Sequence, residues 1–306
     1  MDVLNNQKKL LVVIAGPTAV GKTALSIELA KKYQAPVLSF DSRQFYKEMN
    51  IGTAKPDANE LNQAAHYFIS NLSIHDKYTS GKFETDALIL LNQLFEKHPV
   101  VIAVGGSGLY INALCYGIDD IPTSEEIRNS LITEWKENGL EPLQEQLKLA
   151  DPDFYKSADI QNPRRVIRAL EVFRKSGLPY SSFRKNQNKK RMFETLWIGL
   201  ELERDQLFEK INKRVDDMME QGLFEEGKEL YPFKDQKALK TVGYQELFDY
   251  LDGKHDFSRA VELIKRNTRV FAKKQMVWFK RNPEINWVSP NEINPVIELI
   301  DQKILQ

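Results

Sequence analysis

Three short, almost uninterrupted apolar runs punctuate the first hundred residues: Leu10–Ala15, Pro36–Phe40 and Pro99–Val104. Runs of this length, closed by glycine or polar residues, predict strands buried on both faces. Between them the pattern changes to helical spacing. Lys22–Tyr33 predicts a helix, with Leu25 and Leu29 four apart, and "LYINALCYG" predicts another after Gly108. Such strands alternating with helices predict an α/β fold built on a parallel sheet. Ligands of these sheets bind beyond the carboxyl ends of the strands. The three runs end in the loops Gly16–Thr23, Asp41–Gln44 and Gly105–Gly108, so these loops are expected to share one rim.

From about Asp119 the strand pattern stops. A long polar stretch with helical spacing follows, with a cap signal at Ser124 and a stop near Gly177. "FETLWIGLEL", residues 193–202, predicts the return to the sheet. The expected organisation is a core over 1–118, an all-helical insertion over 119–195, and completion of the core over 196–306 with basic C-terminal helices.

The first loop carries the candidate chemistry. Gly16-Pro17-Thr18-Ala19-Val20-Gly21-Lys22-Thr23 satisfies G-x-x-x-x-G-K-[ST] between a strand and a helix. Backbone N–H groups of such a loop converge on phosphate oxygens, the lysine adds positive charge, and the hydroxyl of Thr23 suits Mg²⁺. The expected fold class is therefore α/β with a P-loop NTPase-like parallel sheet core and an inserted helical domain. A triphosphatase also needs an acidic residue at the end of a neighbouring strand. "VVIAV" instead runs into Gly105-Gly106, and the only acid at a strand end is Asp41. Asp41 suits magnesium or acceptance of a proton from a substrate. Two classes stay open on these residues: phosphoryl transfer, as in a small-molecule kinase that binds ATP, or a transfer in which the phosphates leave.

Other signals are weaker. "GGSGL" lacks the final glycine of a nucleophile elbow, and the four histidines lie far apart, which speaks against a structural metal. Asp216-Asp217 reads as a solvated helix face. The aromatic run "FAKKQMVWF", residues 271–279, reads mainly as core, with a base-stacking platform as the alternative.

The charge distribution adds a separate signal. The 306 residues sum to zero formal charge, yet residues 161–195 hold ten Lys/Arg against two acids, a balance of +8. Residues 259–281 hold eight against one, a balance of +7. Two basic patches on an otherwise acidic chain suggest a polyanion site. A single cysteine, Cys115, predicts a reducing compartment, and no apolar run reaches membrane-span length. The expected setting is cytoplasmic, without membrane contact.

Taken together, "GPTAVGKT", "DSRQFYKEMNIGTAKP" (41–56), "GGSGLYINAL" (105–114), "QNPRRVIRALEV" (161–172) and "KTVGYQE" (240–246) resemble the tRNA dimethylallyltransferase family. The likeness runs in order from residue 10 to about 281. It implies transfer of the dimethylallyl group of dimethylallyl diphosphate to N6 of adenine 37 in the tRNA anticodon loop, with Mg²⁺. It also implies roles for residues. Gly16–Thr23 would hold the diphosphate with Mg²⁺ at Thr23, Lys22 and Arg214 would neutralise it, and Asp41 would take the N6 proton. Asp41, Ser42, Arg43 and Gln44, Ser107, Arg128, Gln161, Asn162, Pro163, Arg164 and Arg165 fall on tRNA-contacting positions. So do Lys240, Thr241, Val242, Gly243, Tyr244 and Gln245. A monomer is expected. The related adenylate isopentenyltransferases, which act on free AMP or ATP, share the loop and the aspartate but need no basic helical arm. Two positions depart from the family pattern: Asn50 stands where aspartate is usual, and Ser107 replaces threonine.

Overall fold

The computed structural model describes residues 8–184 and 188–305. Lys185, one of the ten basic residues counted above, lies outside them. Six parallel strands form one sheet in the order β3-β2-β4-β1-β5-β6. They are β1 (Leu10–Ala15), β2 (Val37–Ser39), β3 (His66–Tyr67), β4 (Val100–Gly105), β5 (Glu194–Leu200) and β6 (Asn286–Val288). The helices in chain order begin with α1 (Lys22–Tyr33), α2 (Ala58–Leu61), α3 (Ser80–Leu94) and α4 (Gly108–Tyr116). Next come α5 (Glu125–Asn138), α6 (Glu141–Ala150), α7 (Pro152–Ser157), α8 (Pro163–Ser176) and α9 (Tyr180–Phe183). The last are α10 (Arg204–Glu220), α11 (Leu223–Leu230), α12 (Tyr244–Leu251), α13 (Phe257–Phe279) and α14 (Ile293–Leu305).

β1 lies between β4 and β5, and every one of its residues is buried. Leu10, Val12 and Ile14 pack with Leu25 and Leu29 of α1, Leu207 and Ile211 of α10, and Val296 and Ile300 of α14. Leu11 and Val13 are equally buried outside that cluster, as the two-residue period of a strand requires when both faces are covered. Register sets the site. Ile14 pairs with Val104, and Val104 pairs with Ser39. The chain therefore leaves β1, β2 and β4 at one level, and the three loops do share a rim. Two strands went unread in the sequence. β3 and β6 have two and three half-buried residues, too short for any periodicity to show.

The chain divides into two compact units, one holding the residues up to Cys115 and from Arg191 onward, the other Tyr116–Lys190. The helical insertion read as 119–195 thus ends earlier than expected. Glu194 and Thr195 pair with Leu10 and Leu11 in the sheet, and Arg191 bonds Glu84 and the carbonyl of Ala113. The second unit has its own core, from Leu131 of α5, Leu143 and Leu147 of α6, Phe154 of α7 and Val166 and Leu170 of α8. Ser124 caps α5 by accepting from Ile127 N–H, and Gly177 closes α8 in a left-handed conformation.

At the centre of that unit Glu171 is fully buried and takes a bidentate pair of bonds from Arg128 (2.9 and 3.0 Å), with Arg168 at 3.1 Å and Ser124 N–H at 2.8 Å. Burial alone would raise its pKa, but the Arg128 bond, the Ser124 N–H and Arg168 outweigh it and hold the carboxyl below its ordinary value. Its stabilisation is complete above about pH 5 and fades as pH falls through that lowered value. Glu171→Ala strands two arginines, so it is expected to destabilise the unit by about 2–4 kcal/mol in urea unfolding at pH 7. The deficit should shrink on acidification, and an equal deficit at pH 7 and pH 3 would count against the pairing.

Candidate active site

The loop after β1 bends through three left-handed residues, Gly16 (φ 149°), Ala19 (φ 65°) and Gly21 (φ 108°), before α1 starts at Lys22. A Cβ on Gly16 would stand 2.8 Å from the carbonyl oxygen of Leu200, so glycine is required there. The loop is pinned from outside itself. Gln275 of α13 accepts from Thr18 N–H (2.9 Å) and donates from Nε2 to the carbonyl of Gly106 (3.0 Å), joining the loops after β1 and β4.

Two cations face this loop. Lys22 Nζ donates to the carbonyl of Pro17 (2.6 Å), and Arg214 of α10 donates to the Thr18 hydroxyl (3.3 Å). Burial lowers the Lys22 ammonium to about 8; Asp41 opposes the shift and Arg214 adds to it. Burial also lowers Arg214, opposed by the charges of Asp41 and Glu60. Two crowded cations with depressed pKa values suit a strongly anionic ligand.

Asp41 follows β2 in a tight turn. Its Oδ1 accepts Arg43 N–H (3.1 Å), and its carbonyl accepts Gln44 N–H (3.0 Å). Ser107, after β4, accepts Ser42 N–H and donates to the Ser42 hydroxyl, each at 3.0 Å. These groups line one cavity of about 730 Å³, together with Lys22, Thr23, Arg214 and residues 52–54 and 241–243. No carboxylate stands at the end of β4, and the packing explains why. A Cβ on Gly105 would meet the ring of Phe40 at 2.7 Å, and one on Gly106 would meet Gln275 Nε2 at 2.2 Å.

Several expected tRNA-contacting residues have local duties. Arg43 is turned to the carbonyls of Ala238 (2.7 Å) and Lys237 (3.3 Å), and Gln44 donates to Ala54 O (3.1 Å). Asn162 caps α8 and Pro163 takes its first position, leaving Arg164 and Arg165 exposed. Arg128 is engaged by Glu171, as described. Tyr244 is a correction: its ring is fully buried and its hydroxyl donates to Glu226 (2.6 Å), because α12 needs that face for its own core. Lys240 and Gln245 are exposed, and Thr241, Val242 and Gly243 line the cavity.

The run 271–279 also needs correcting. Ala272, Gln275 and Phe279 are buried, but Phe271 and Trp278 are 45% and 40% exposed and line the cavity. Helical periodicity turns those two roughly a quarter-turn away from Phe279, a signal present in the sequence. Gln275 was not singled out there, since a lone amide in a basic helix carries no motif.

The basic patches are thinner than their counts. Arg174 pairs with Glu134 and Arg191 with Glu84. In the second patch Lys265 pairs with Asp216 and Lys280 with Glu201. Asn50, where the family has aspartate, still accepts from Lys55 Nζ (3.0 Å) through its amide oxygen. Burial lowers Lys55 to about 8, opposed by Glu226 and Glu48.

Among the described residues no group of three or more His, Cys, Asp or Glu is arranged to hold a metal, and no helix is long and apolar enough to cross a membrane. The Thr23 hydroxyl, lining the cavity beside the anion site, fits a hard cation whose remaining ligands come from a substrate and water.

Comparison with known proteins agrees with this geometry. The chain is 49% identical to the tRNA dimethylallyltransferase of Christiangramia forsetii, over 96% of its own length and 98% of the relative's. The crystal structure of the tRNA isopentenylpyrophosphate transferase of Bacillus halodurans is similar at 35% identity and TM-score 0.72, with 97% of each chain covered. A eukaryotic dimethylallyltransferase captured acting on tRNA is similar at 27% identity and TM-score 0.80, covering 97% of this chain and 78% of that one. A family model described as IPP transferase matches residues 44–282, and with it the chain belongs to the IPP transferase family, that of the tRNA dimethylallyltransferases.

Proposed function

We propose that the protein transfers the dimethylallyl group of dimethylallyl diphosphate to N6 of adenine 37 in the tRNA anticodon loop, releasing diphosphate. One observation carries the reading: a single cavity joins a phosphate loop with two crowded cations to a strand-end carboxylate, while the neighbouring strand end holds none. The N6–C1 bond forms as the C1–O bond to diphosphate breaks. Lys22, Arg214 and the loop N–H groups stabilise the charge that grows on the departing diphosphate. Asp41 accepts the N6 proton, since an exocyclic amine is a poor nucleophile while it keeps both hydrogens. The Thr23 hydroxyl would hold magnesium, which would supply further neutralisation of that leaving group.

The acceptor fits as well. A base in a loop is unstacked and buried at less cost than a paired one. Ser42, Arg43, Gln44, Ser107, residues 240–243 and Gln245 would meet the loop bases, with Arg128 and Gln161–Arg165 on the helical unit meeting the stem. Phosphate contacts from Arg164 and Arg165 would supply affinity rather than sequence reading. The enzyme is taken to work as a monomer in the cytoplasm, where unmodified tRNA is found.

Labelled dimethylallyl diphosphate, Mg²⁺ and unmodified tRNA test the reaction directly, beside an ATP control. Label should enter tRNA; phosphate release from ATP without labelling would overturn the reading in favour of a kinase or triphosphatase. Asp41→Asn should lower kcat by about 10²-fold or more with diphosphate affinity kept; unchanged turnover would remove Asp41 as the base. Arg164→Ala with Arg165→Ala should weaken tRNA binding and reduce the salt slope by about 1–2, and an unaltered slope would place the stem elsewhere.

Lys22 gives a pH dependence. Below pH 8 it is charged with or without ligand and contributes none. Above pH 8 the free protein has lost the proton and bound diphosphate restores it, so affinity should weaken by up to about tenfold per pH unit. Calorimetric titration of diphosphate at pH 7 and pH 9 reads this against Lys22→Met, which cancels the titration of diphosphate itself. Equal pH dependence in the two proteins would refute it.

A further inference from the structure

The wall of the cavity at residues 52–54 belongs to a single 3-10 turn, Ile51–Thr53, that buries no side chain of its own. Ile51 packs only half-buried against the core around Tyr244, so polar contacts have to fix the rest of the turn. Behind it, four donors converge on one carboxylate. Glu226 of α11 accepts Asn50 N–H and Ile51 N–H on Oε2, each at 2.9 Å. Its Oε1 accepts Gly52 N–H (3.0 Å) and the Tyr244 hydroxyl (2.6 Å). Gly52 lies flat on the Tyr244 ring, where a Cβ would come within 2.5 Å of Cζ. Burial, with the charge of Glu226, raises the Tyr244 pKa and keeps the hydroxyl protonated as a donor.

The turn is tied on its other side to the proton acceptor. Gln44 Nε2 donates to Ala54 O (3.1 Å), and Gln44 N–H donates to Asp41 O (3.0 Å). An unbroken set of hydrogen bonds thus runs from Glu226 through residues 50–54 and Gln44 to Asp41. α11 itself is fixed by Leu223, Gly227 and Leu230, all buried, so the helix does not need Glu226 to stay in place. The part of the molecule that depends on Glu226 is the turn; Gly243 beside it, which opens α12 and also lines the cavity, is held by Glu246.

We propose that Glu226 is a positioning residue for the acceptor: its carboxylate fixes the 50–54 wall and through it the Asp41–Gln44 turn, leaving the diphosphate end of the cavity untouched. The proposal rests on the prenyl-transfer reading above. A merely structural role would weaken both ends alike, whereas a positioning role separates them.

Glu226→Gln keeps the size of the side chain but replaces one acceptor oxygen by a donor that faces backbone N–H groups. Tyr244→Phe removes one donor and should fold even where Glu226→Gln does not. Three readouts are needed: kcat and KM with an unmodified anticodon stem-loop, calorimetric affinity for Mg²⁺-diphosphate, and hydrogen exchange of the 50–52 amides. Glu226→Gln should lower kcat/KM for RNA about tenfold or more and speed that exchange, with diphosphate affinity within about twofold of wild type. Tyr244→Phe should move the same way by a smaller factor. Diphosphate affinity falling in step with the RNA parameters, or RNA parameters unchanged while exchange accelerates, would overturn the proposal. Wild-type protein that binds diphosphate but labels no RNA would overturn the reaction instead, and the clamp would then stand or fall on the exchange of the 50–52 amides.

Discussion

A loop that must offer its backbone N–H groups to an anion cannot be held by hydrogen bonds among those groups. It has to be held from outside, and here one amide side chain does most of that. Gln275 takes Thr18 N–H and gives its own N–H to Gly106 O, so the loops after β1 and β4 are tied to one another. The amide sits where any side chain at position 106 would have to go. The contact that orders the phosphate loop thus also excludes a carboxylate from the end of β4. A loop of the kind found in triphosphatases is left without the group that usually holds metal for hydrolysis. The remaining acid, Asp41, lies one strand further out, beside the cavity wall rather than under the loop.

That arrangement gives the same loop a different task. In phosphoryl transfer, the loop positions a phosphorus for attack. In the proposed transfer, the groups around the loop would instead neutralise the departing diphosphate, and bond-making would take place at the carbon it leaves. Depressed pKa values for Lys22 and Arg214 fit this division. Among the described residues neither cation has a carboxylate in bonding contact, an arrangement that a bound polyanion would relieve.

Much of this was legible in the sequence because it depends on local rules. β1 and the phosphate loop are readable since a central, doubly buried strand has to be apolar throughout and its turn has to use glycine. Asp41 is readable as the acid at a strand end. The rest depends on which side chain faces which neighbour. Gln275 lies 257 residues from Thr18, and no spacing announces it. Tyr244 sits in a segment whose resemblance marks the stretch as functional without saying which side chains turn inward. Phe271 and Trp278 share a run with Phe279 but not its helix face. Net charge was the least reliable guide, because Arg128, Arg168, Arg174 and Arg191 all have carboxylate partners that a count along the chain does not see.

Those internal pairs carry a further consequence for how the helical unit was built. A unit this small has a modest apolar core, and Glu171 with its two arginines gives that core a polar centre that is satisfied only in one packing. Of these pairs it is Arg128 of α5 with Glu171 of α8 that ties the two helices to one another. Arg164 and Arg165 are free of that duty because Asn162 and Pro163 start α8 just before them, placing both in the first turn and exposed. Positive charge at a helix N-terminus opposes the helix dipole, and both residues sit there without a local carboxylate partner among the described ion pairs. Stability alone gives no reason for two arginines at that position, whereas the proposed contacts to a phosphate backbone would.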